Sequence, residues 1–420
     1  MAFSDNYFIR YPNLPAFYPA KADDGLGIIV VIPCYDDEHI FETLLSLERA
    51  DAAGTGVEVI VVVNSGEQTP EHIVSKNKAV FVRLEKERAQ HHYKNFALFP
   101  VLIENIPRKK AGVGFARKTG MDEAVRHFAA IDKSDGVIVS LDADALVEKN
   151  YFRTIENIRQ TEPKTNGFVF QFQHDFDTGK YSSEIIAACR LYETYLRYFR
   201  LALKTAGFPY AYHTIGSCFA VRAQAYTKVG GMPSKQGGED FYFLQKLAKM
   251  TVVKQLNEVL VYPSPRISER VPFGTGPSVK KIIAGNTYPV YNFQLFLLLK
   301  GFFDGFGDCY ESVQFSKIPV EIILFTGEEN IIRLIAACRN HSSSKANFIK
   351  RMFTVFDAFF VVKFLNSYAN GSAFPPVELK EAALDLLNHI APDRDYTSEN
   401  LYQTLLDIDL KKRVGPECLG

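Results

Sequence analysis

The chain has 420 residues, of which 47% are hydrophobic and 23% charged, and its Lys+Arg and Asp+Glu counts balance at 48 each. This length exceeds the usual size of one hydrophobic core, so we expect a globular, soluble chain with a large unit and a smaller one. The balanced charge excludes a global field that attracts polyanions. We therefore expect no nucleic-acid partner, and any anion site must be local.

The cysteine pattern indicates a reducing compartment. The six cysteines lack the Cys-x-x-Cys spacing of a zinc site and the pattern of a disulfide framework.

The hydropathy of the chain predicts neither a targeting segment nor a membrane span. The amino terminus has no basic segment followed by an apolar core, so we expect no secretory signal and a cytoplasmic location. The most apolar late stretch, residues 290–306, is interrupted by polar side chains and is too short to span a bilayer. It favours a buried helix or cleft wall over a membrane-surface role, and we predict no transmembrane segment.

From residue 26 onward, apolar strand-like runs alternate with helical patterns, which is typical of a parallel sheet covered by helices. Strands are predicted at residues 27–33, 57–63, 99–106, 137–141, 167–173 and 217–223, the second of them ending at a turn over residues 64–66. Helices are predicted at residues 38–50, 112–130, 149–160, 183–204 and 223–229, and from Glu239 onward. The predicted fold class is α/β.

Beyond about residue 278 the strand signal fades, and residues 320–410 follow the pattern of successive helices. We therefore predict four segments: an amino-terminal extension (1–25), an α/β domain (26–277), a linker or acceptor-side segment (278–319) and a helical carboxy-terminal domain (320–420). The helical domain is a candidate for homo-oligomer formation.

Asp142 and Asp144 directly follow the apolar run 137–141. Strand alternation places their side chains on one side, at the carboxyl edge of a buried strand. There, carboxylate oxygens can hold a divalent cation such as Mn²⁺ or Mg²⁺ and link it to a diphosphate. An isolated Asp-x-Asp is a weak signal, because aspartate also caps helices and fills turns. The buried strand before it favours the metal-binding interpretation.

Glu239 and Asp240 begin a predicted helix, where a carboxylate complements the positive end of the helix dipole. Glycine pairs at residues 230–231 and 237–238 precede them and form a flexible segment, which favours a catalytic role over a purely capping one. We predict that Asp240 is the general base that deprotonates an attacking hydroxyl. Glu239 is a candidate for holding the acceptor by a hydrogen bond.

Polar and aromatic residues end the first two predicted strands. Pro33, Tyr35 and Asp36 end the first, and Asn64 ends the second, so all four share the carboxyl edge where α/β sheets bind nucleotides. The Asn64 amide suits pairing with a base edge, although Asn-Ser-Gly equally suits a turn.

Three arginines are candidate phosphate contacts. Arg117 lies in the predicted helix 112–130, and Arg266 and Arg270 lie four residues apart in a loop that contains prolines and glycines. Guanidinium groups bind phosphates and carboxylates through two parallel hydrogen bonds. The competing interpretation is a set of surface salt bridges.

This ordered set of motifs resembles glycosyltransferase family 2, a group with the GT-A fold. Residues 29–47 (IVVIPCYDDEHIFETLLSL) are similar to that family's opening strand and helix, and residues 59–66 (VIVVVNSG) to the end of its second strand. Residues 112–125 (GVGFARKTGMDEAV) are similar to its ARN-x-G helix. Residues 141–145 (LDADA) and 237–247 (GGEDFYFLQKL) are similar to its Asp-x-Asp and Glu-Asp segments.

The resemblance implies a Rossmann-like, mostly parallel sheet and a nucleoside-diphosphate sugar, UDP- or GDP-linked, as donor. By the same resemblance, Asn64 and Asp36 contact the base or ribose, Asp142 the donor and Asp144 the Mn²⁺ or Mg²⁺. Asp240 is then the base of an inverting transfer to a hydroxyl acceptor, with saccharides among the candidates.

The chain departs from the family pattern at three places. Val63 and Asn64 stand where the family commonly has paired aspartates, and Lys118 stands where it often has asparagine. Some relatives supply a metal-binding histidine after the Glu-Asp segment, whereas here none follows until His341. The third metal ligand therefore stays open, with His213 as one candidate.

Together these features predict a metal-dependent glycosyltransferase of the hexosyltransferase class. One alternative is an inactive GT-A-like scaffold that binds a sugar nucleotide without turnover. The other is a sugar-1-phosphate nucleotidyltransferase, which needs a glycine-rich basic loop after the first strand, where this chain has PCYDDEHI. A retaining mechanism also stays open, because related GT-A enzymes of that kind share the Asp-x-Asp and the arginine-rich loop.

Overall fold

The computed structural model describes residues 2–11, 14–18, 24–268, 270, 274–285, 287–371, 373–392, 396–397 and 400–411. The chain divides into two compact units. The first comprises Met1–Ser182 and His213–Pro277, and the second Ser183–Tyr212 and Ser278–Gly420. The four-segment division predicted from the sequence stays a prediction.

Strands and helices are numbered in chain order. The strands are β1 Leu26–Cys34, β2 Gly56–Gly66, β3 Ala97–Ile106, β4 Val137–Ser140, β5 Leu146–Val147, β6 Gly167–Phe172, β7 Phe219–Arg222, β8 Val253–Tyr262, β9 Pro289–Val290 and β10 Val377–Glu378. The helices are α1 Asp5–Arg10, α2 Ile40–Arg49, α3 Glu71–Ala89, α4 Val113–Ala130, α5 Tyr151–Thr161, α6 Ser183–Thr205, α7 Ala223–Lys228, α8 Glu239–Met250, α9 Thr275–Gly285, α10 Phe293–Asp304, α11 Val320–Thr326, α12 Glu328–Asn340, α13 Lys345–Val355, α14 Ala358–Ala369, α15 Leu379–Ile390 and α16 Leu401–Asp409.

The described part of the first unit contains an eight-stranded sheet in the order β3-β2-β1-β4-β7-β6-β8-β5. Strands β3, β2, β1 and β4 run parallel to one another, as do β6 and β8, whereas β7 is antiparallel to β4 and β6. This mostly parallel sheet with covering helices confirms the predicted α/β fold class. It also brings the carboxyl ends of β1, β2 and β4 to one edge.

The apolar composition of the central strands explains why they are buried. Every residue of β1 is buried, as are the nine interior residues of β2, because parallel strands covered on both faces need apolar side chains on both. The predicted turn at residues 64–66 is wrong. These residues continue β2, and Asn64 pairs with Ile103 and Gly66 with Ile106, since β3 extends alongside and supplies backbone partners.

Helix α3 had no counterpart in the sequence prediction. It spans 19 residues, but only Asn77, Val80 and Leu84 are buried. So few inward positions leave a weak helical periodicity, and the helix is hard to recognise from its sequence.

The second unit is helical apart from the short antiparallel pair of β9 and β10 among its described residues. The predicted helical carboxy-terminal region is confirmed. The apolar stretch 290–306 contains α10, whose phenylalanines and leucines are largely buried, as expected of a buried helix. Phe302 and Phe356 meet edge to face with ring centroids 4.9 Å apart, so aromatic packing contributes to this core.

Charged side chains join the first and last helices of this unit. Arg197 of α6, which is fully buried, pairs with Glu193 at 2.6 Å and with Asp409 of α16 at 2.7 Å. Removing one of these side chains would leave its buried partners with less charge compensation, so the arrangement fixes α16 against α6.

None of the described helices combines the length and the apolar character that crossing a membrane requires. The five cysteines that the structure describes are buried free thiols.

Candidate functional site

Two carboxylates follow β4 at the carboxyl edge of the sheet, and each is bound by a different arginine. Asp142 Oδ1 accepts a hydrogen bond from Arg117 Nη2 at 2.9 Å. Asp144 Oδ2 accepts one from Arg266 Nε at 2.7 Å. The Asp-x-Asp of the sequence therefore connects to two separate parts of the first unit.

Arg117 of α4 joins three elements through one guanidinium group. Its side chain is only 2% exposed. Besides Asp142, it donates from Nε to Glu239 Oε1 at 3.1 Å, and from Nη1 to the Gly216 carbonyl at 2.9 Å and to the Ser140 hydroxyl. Burial disfavours the charged form, but Asp142 and Glu239 outweigh it and raise the pKa of Arg117.

The predicted site residues Arg117 and Glu239 thus have buried protein partners. The guanidinium of Arg117 binds carboxylates and a carbonyl, so in this structure it positions Asp142 and Glu239. Glu239 is 3% exposed, and its carboxylate faces Arg117. The ion pair links the end of β4 to the first turn of α8.

Arg266 and Arg270 follow β8 in the chain and bridge the ends of β1 and β4. Both bind Asp37 Oδ2, Arg270 through Nη1 at 2.7 Å. Arg270 also donates to the Tyr35 carbonyl at 3.0 Å and lies 3.4 Å from Asp144 Oδ2. Two arginines and two aspartates therefore form a compact charged cluster at the sheet edge.

The two aspartates of this cluster respond differently to burial. Burial by itself would raise the pKa of Asp37, but Arg270 and Arg266 more than offset it and hold the pKa below its usual value. Burial raises the pKa of Asp144, and the same arginines offset this only in part because Asp37 repels it. A further cation beside Asp144 would therefore favour its ionised form.

Asp37 was missed by sequence reasoning, which selected its neighbour Asp36. Asp36 adopts a left-handed backbone conformation (φ 50°) and pairs with Lys76 Nζ at 2.9 Å. Aspartate tolerates this conformation, and the turn leaves Asp37 only 1% exposed within the cluster. The only sequence signal was the acidic pair itself.

A groove of about 200 Å³ lies beside the ends of β1 and β2. Its lining includes Tyr35, Gly66, Glu67, Arg108, Ala111 and Gln236. Arg108 and Gln236 were not predicted as site residues, because neither belongs to a strand-end motif. Aromatic and polar lining at the carboxyl edge suits a nucleoside.

Asn64, at the end of β2, is 4% exposed, and its Oδ1 atom has no hydrogen-bond partner among the described residues. Asn77 of α3 binds the Asn64 carbonyl at 3.0 Å and accepts from the Asp36 backbone N–H at 2.9 Å, so it fixes both strand ends. A buried acceptor without a partner is costly. Pro33 is buried within β1.

Asp240 lies half-buried in the first turn of α8, and its Oδ1 accepts from the Phe241 backbone N–H at 2.7 Å. Burial and the adjacent Glu239 raise the pKa of Asp240 to about 7, against the opposing charge of Arg117. A carboxylate whose pKa lies near neutral pH is suited to accept a proton from a hydroxyl.

Asp142 and Asp144 supply carboxylate oxygens, the type of ligand that Mg²⁺ takes in proteins. The ion pairs of Asp142 use Oδ1 and those of Asp144 use Oδ2, while their side chains are 35% and 18% exposed. Within the described residues, no group of three or more His, Cys, Asp or Glu side chains is arranged to hold a metal. Mg²⁺ is usually bound by one or two carboxylates together with substrate phosphates, so two aspartates suffice.

The third-ligand candidate His213 packs against β6. It is 4% exposed, and its ring meets Phe172 edge to face at 5.1 Å. Because the described residues form no metal-holding group that includes His213, its role as third metal ligand stays a prediction.

No protein-family model matches the chain, and no curated protein matches its sequence. Solved structures of glycosyltransferases are similar to it. TarS 1–349 from S. aureus in complex with UDP-GlcNAc matches at 14% identity and a TM-score of 0.39, covering 92% of this chain and 89% of that one. The mannosyltransferase PcManGT from Pyrobaculum calidifontis, in complex with GDP-Man and Mn²⁺, matches at 16% identity and a TM-score of 0.36, covering 98% and 94%. At this level of similarity the matches carry no argument about function.

Proposed function

We propose that this chain is a metal-dependent glycosyltransferase that moves a hexose from a UDP- or GDP-sugar to a hydroxyl acceptor. One observation carries the proposal: the buried Arg117 guanidinium binds both Asp142 after β4 and Glu239 at the start of α8. The candidate donor-binding carboxylates and the candidate base segment therefore belong to one site.

Asp142 and Asp144 are the residues that would hold Mn²⁺ or Mg²⁺, and Arg266 and Arg270 are the candidate diphosphate contacts. When bound, the cation neutralises phosphate charge and stabilises the diphosphate as a leaving group. The arginines lie close enough to Asp144 for a phosphate held there to come within their reach.

The nucleoside occupies the groove at the ends of β1 and β2 in this proposal. Tyr35 supplies an aromatic wall of this groove. Asn64 lies at the neighbouring end of β2 outside the groove lining, and its buried Oδ1, which has no partner among the described residues, is a proposed acceptor for an N–H of the base. Asp36 and Pro33 belong to the same strand end and are proposed donor contacts.

Asp240 is the proposed base of an inverting transfer. The acceptor oxygen attacks the anomeric carbon while the bond from that carbon to the diphosphate oxygen breaks. The hydroxyl proton passes to the Asp240 carboxylate, and the nucleoside diphosphate leaves with the bonding electrons. Glu239, held by Arg117, fixes the first turn of α8 during this step. The cytoplasmic location and homo-oligomer expected from the sequence stay predictions.

Calorimetric titration with UDP-glucose, UDP-GlcNAc and GDP-mannose, with and without Mn²⁺, tests the proposal. We expect Mn²⁺-dependent binding of one donor, lost in Asp144→Ala. Asp240→Asn should keep that binding and lose at least about 100-fold in turnover. Binding of no sugar nucleotide would overturn the proposal, and binding in which Asp240→Asn leaves turnover unchanged would remove Asp240 as the base.

A further inference from the structure

The amino-terminal segment packs onto the same helix that carries Arg117. Tyr7 of α1 is 4% exposed, and its hydroxyl donates to Asp122 Oδ1 of α4 at 2.7 Å. The Lys118 ammonium donates to the same hydroxyl at 2.7 Å and to Asp122 Oδ2 at 2.8 Å. Lys118 is the residue next to Arg117, so Tyr7 is anchored to the part of α4 that carries the guanidinium.

The Tyr7 hydroxyl also contacts the glycine turn that leads towards α8. Gly231 has a left-handed conformation (φ 72°), and a Cβ atom at this position would collide with the Tyr7 hydroxyl. The neighbouring Tyr226 donates to Asp122 Oδ1 at 2.8 Å. The buried carboxylate of Asp122 on α4 therefore binds side chains of both α1 and α7 beside this turn.

The segment from the glycine turn to α8 then lies against the first turn of α4. The Gly114 backbone N–H donates to the Lys235 carbonyl at 3.1 Å. A Cβ atom at Gly114 would lie 2.8 Å from the Pro233 carbonyl oxygen, so only glycine allows this approach. Glu239 follows four residues after Lys235 and reaches Arg117.

We propose that Tyr7 is a positioning residue for the transfer reaction: its hydroxyl fixes α4 and the segment 231–238 relative to each other, and thereby sets the Arg117–Glu239 ion pair and the placement of Asp240. The Tyr7 hydroxyl is taken up by contacts with Lys118, Asp122 and Gly231, so its proposed effect is exerted through these residues rather than through substrate. This inference rests on the function proposed above for Arg117 and Asp240.

The Tyr7→Phe variant tests the inference, because it removes the hydroxyl and keeps the buried ring. Misplacing a base segment lowers the chemical step more than donor binding, so we expect kcat to fall about tenfold while the donor KM stays within about twofold. Hydrogen–deuterium exchange should rise in peptides that cover residues 231–240. Lys118→Met removes the other hydrogen bond of the hydroxyl and should give the same pattern, which provides a second variant if Tyr7→Phe folds poorly.

Tyr18→Phe is the matched control on the same segment. Its hydroxyl donates to the Pro100 carbonyl at 2.5 Å and lies 3.2 Å from Glu85 Oε1, so its partners belong to β3 and α3 rather than to the glycine turn. We expect it to leave kcat and exchange at residues 231–240 unchanged. Equal effects of the two variants, or unchanged exchange at residues 231–240 in Tyr7→Phe, would overturn the inference. If the wild-type chain transfers no sugar, the proposed function fails, whereas the exchange measurement still decides whether Tyr7 fixes this segment.

Discussion

At the scale of single residues, the site depends on carboxylates whose environments differ. Asp37 is buried against two guanidinium groups, and its pKa is lowered by them. Asp240 lies half-buried beside another carboxylate, and its pKa is raised to about 7. One acidic group is thus kept ionised as an anchor, and the other can exchange a proton near neutral pH.

Asp240 predicts a pH dependence of turnover. A base acts only when deprotonated, and the raised pKa of about 7 means that its active form is lost as the pH falls through that value. We expect kcat/KM to reach a plateau above pH 7 and to fall about tenfold per pH unit below it. Stopped or continuous assays of nucleoside-diphosphate release between pH 5.5 and about 8.5 measure this profile. A profile that is flat through neutral pH would argue against Asp240 as the base.

At the scale of elements, α4 connects the parts of the site, because residues near both of its ends contact other elements of the first unit. Its amino-terminal part holds Arg117 against β4, α8 and the loop before β7, and its last turn carries His127. Small movements of this helix are therefore transmitted to Asp142 and Glu239 together.

Gly216, just before β7, tests this tight arrangement. A Cβ atom there would lie 2.6 Å from Arg117 Nη2, so Gly216→Ala should displace the guanidinium from its partners. We expect the free energy of unfolding to fall by about 1–3 kcal/mol, with turnover lost as well. Urea denaturation and a transfer assay measure the two effects.

Gly285→Ala is the control for this substitution, since a Cβ atom at the end of α9 meets nothing within 4 Å. If Gly216→Ala were as stable and active as Gly285→Ala, the Arg117 arrangement would not be what holds the site.

The sequence predicted the location of a residue well where that residue directly follows a strand or begins a helix. The apolar runs of β1, β2 and β4 predicted the sheet edge and so placed Asp142, Asp144 and Asn64 near it. It was uninformative where long-range contacts decide. The pairing of Asp37 with Arg266 and Arg270 joins residues more than two hundred positions apart, and no local pattern distinguishes Asp37 from Asp36. Helix α3 was missed because its buried face is small.

At the scale of the whole molecule, each of the two units has its own core, and a buried histidine between two glutamates, separate from the cluster at the sheet edge, stabilises the first unit. His127 of α4 lies 2.6 Å from Glu58 of β2 and 3.6 Å from Glu123. Glu123 Oε1 also accepts from the backbone N–H groups of Phe17 and Tyr18 at 3.0 Å. The cluster joins β2, α4 and the amino-terminal segment.

His127 predicts a loss of stability at alkaline pH. Burial alone would lower the pKa of His127, but Glu123 and Glu58 raise it from 6.5 to about 9. A raised histidine pKa contributes stability that is complete below pH 6.5 and is lost as the pH rises through about 9. We expect the stability difference between the wild type and His127→Gln to shrink by up to about 3 kcal/mol between pH 7 and 10. A difference that stays constant over this range would show that His127 is neutral in the folded state.

The central claim is that Asp142 and Asp144 hold a divalent cation together with a sugar diphosphate, and Mn²⁺ electron paramagnetic resonance tests it most directly. The UDP- or GDP-sugar that the chain binds is added to a solution of the wild-type chain and Mn²⁺. The signal of free aqueous Mn²⁺ should then fall by more than it does when the same sugar nucleotide is added to Mn²⁺ without protein. In Asp144→Ala the additional loss should disappear. A wild-type chain that binds the donor without taking up Mn²⁺, or an Asp144→Ala variant that takes it up equally well, would contradict the account.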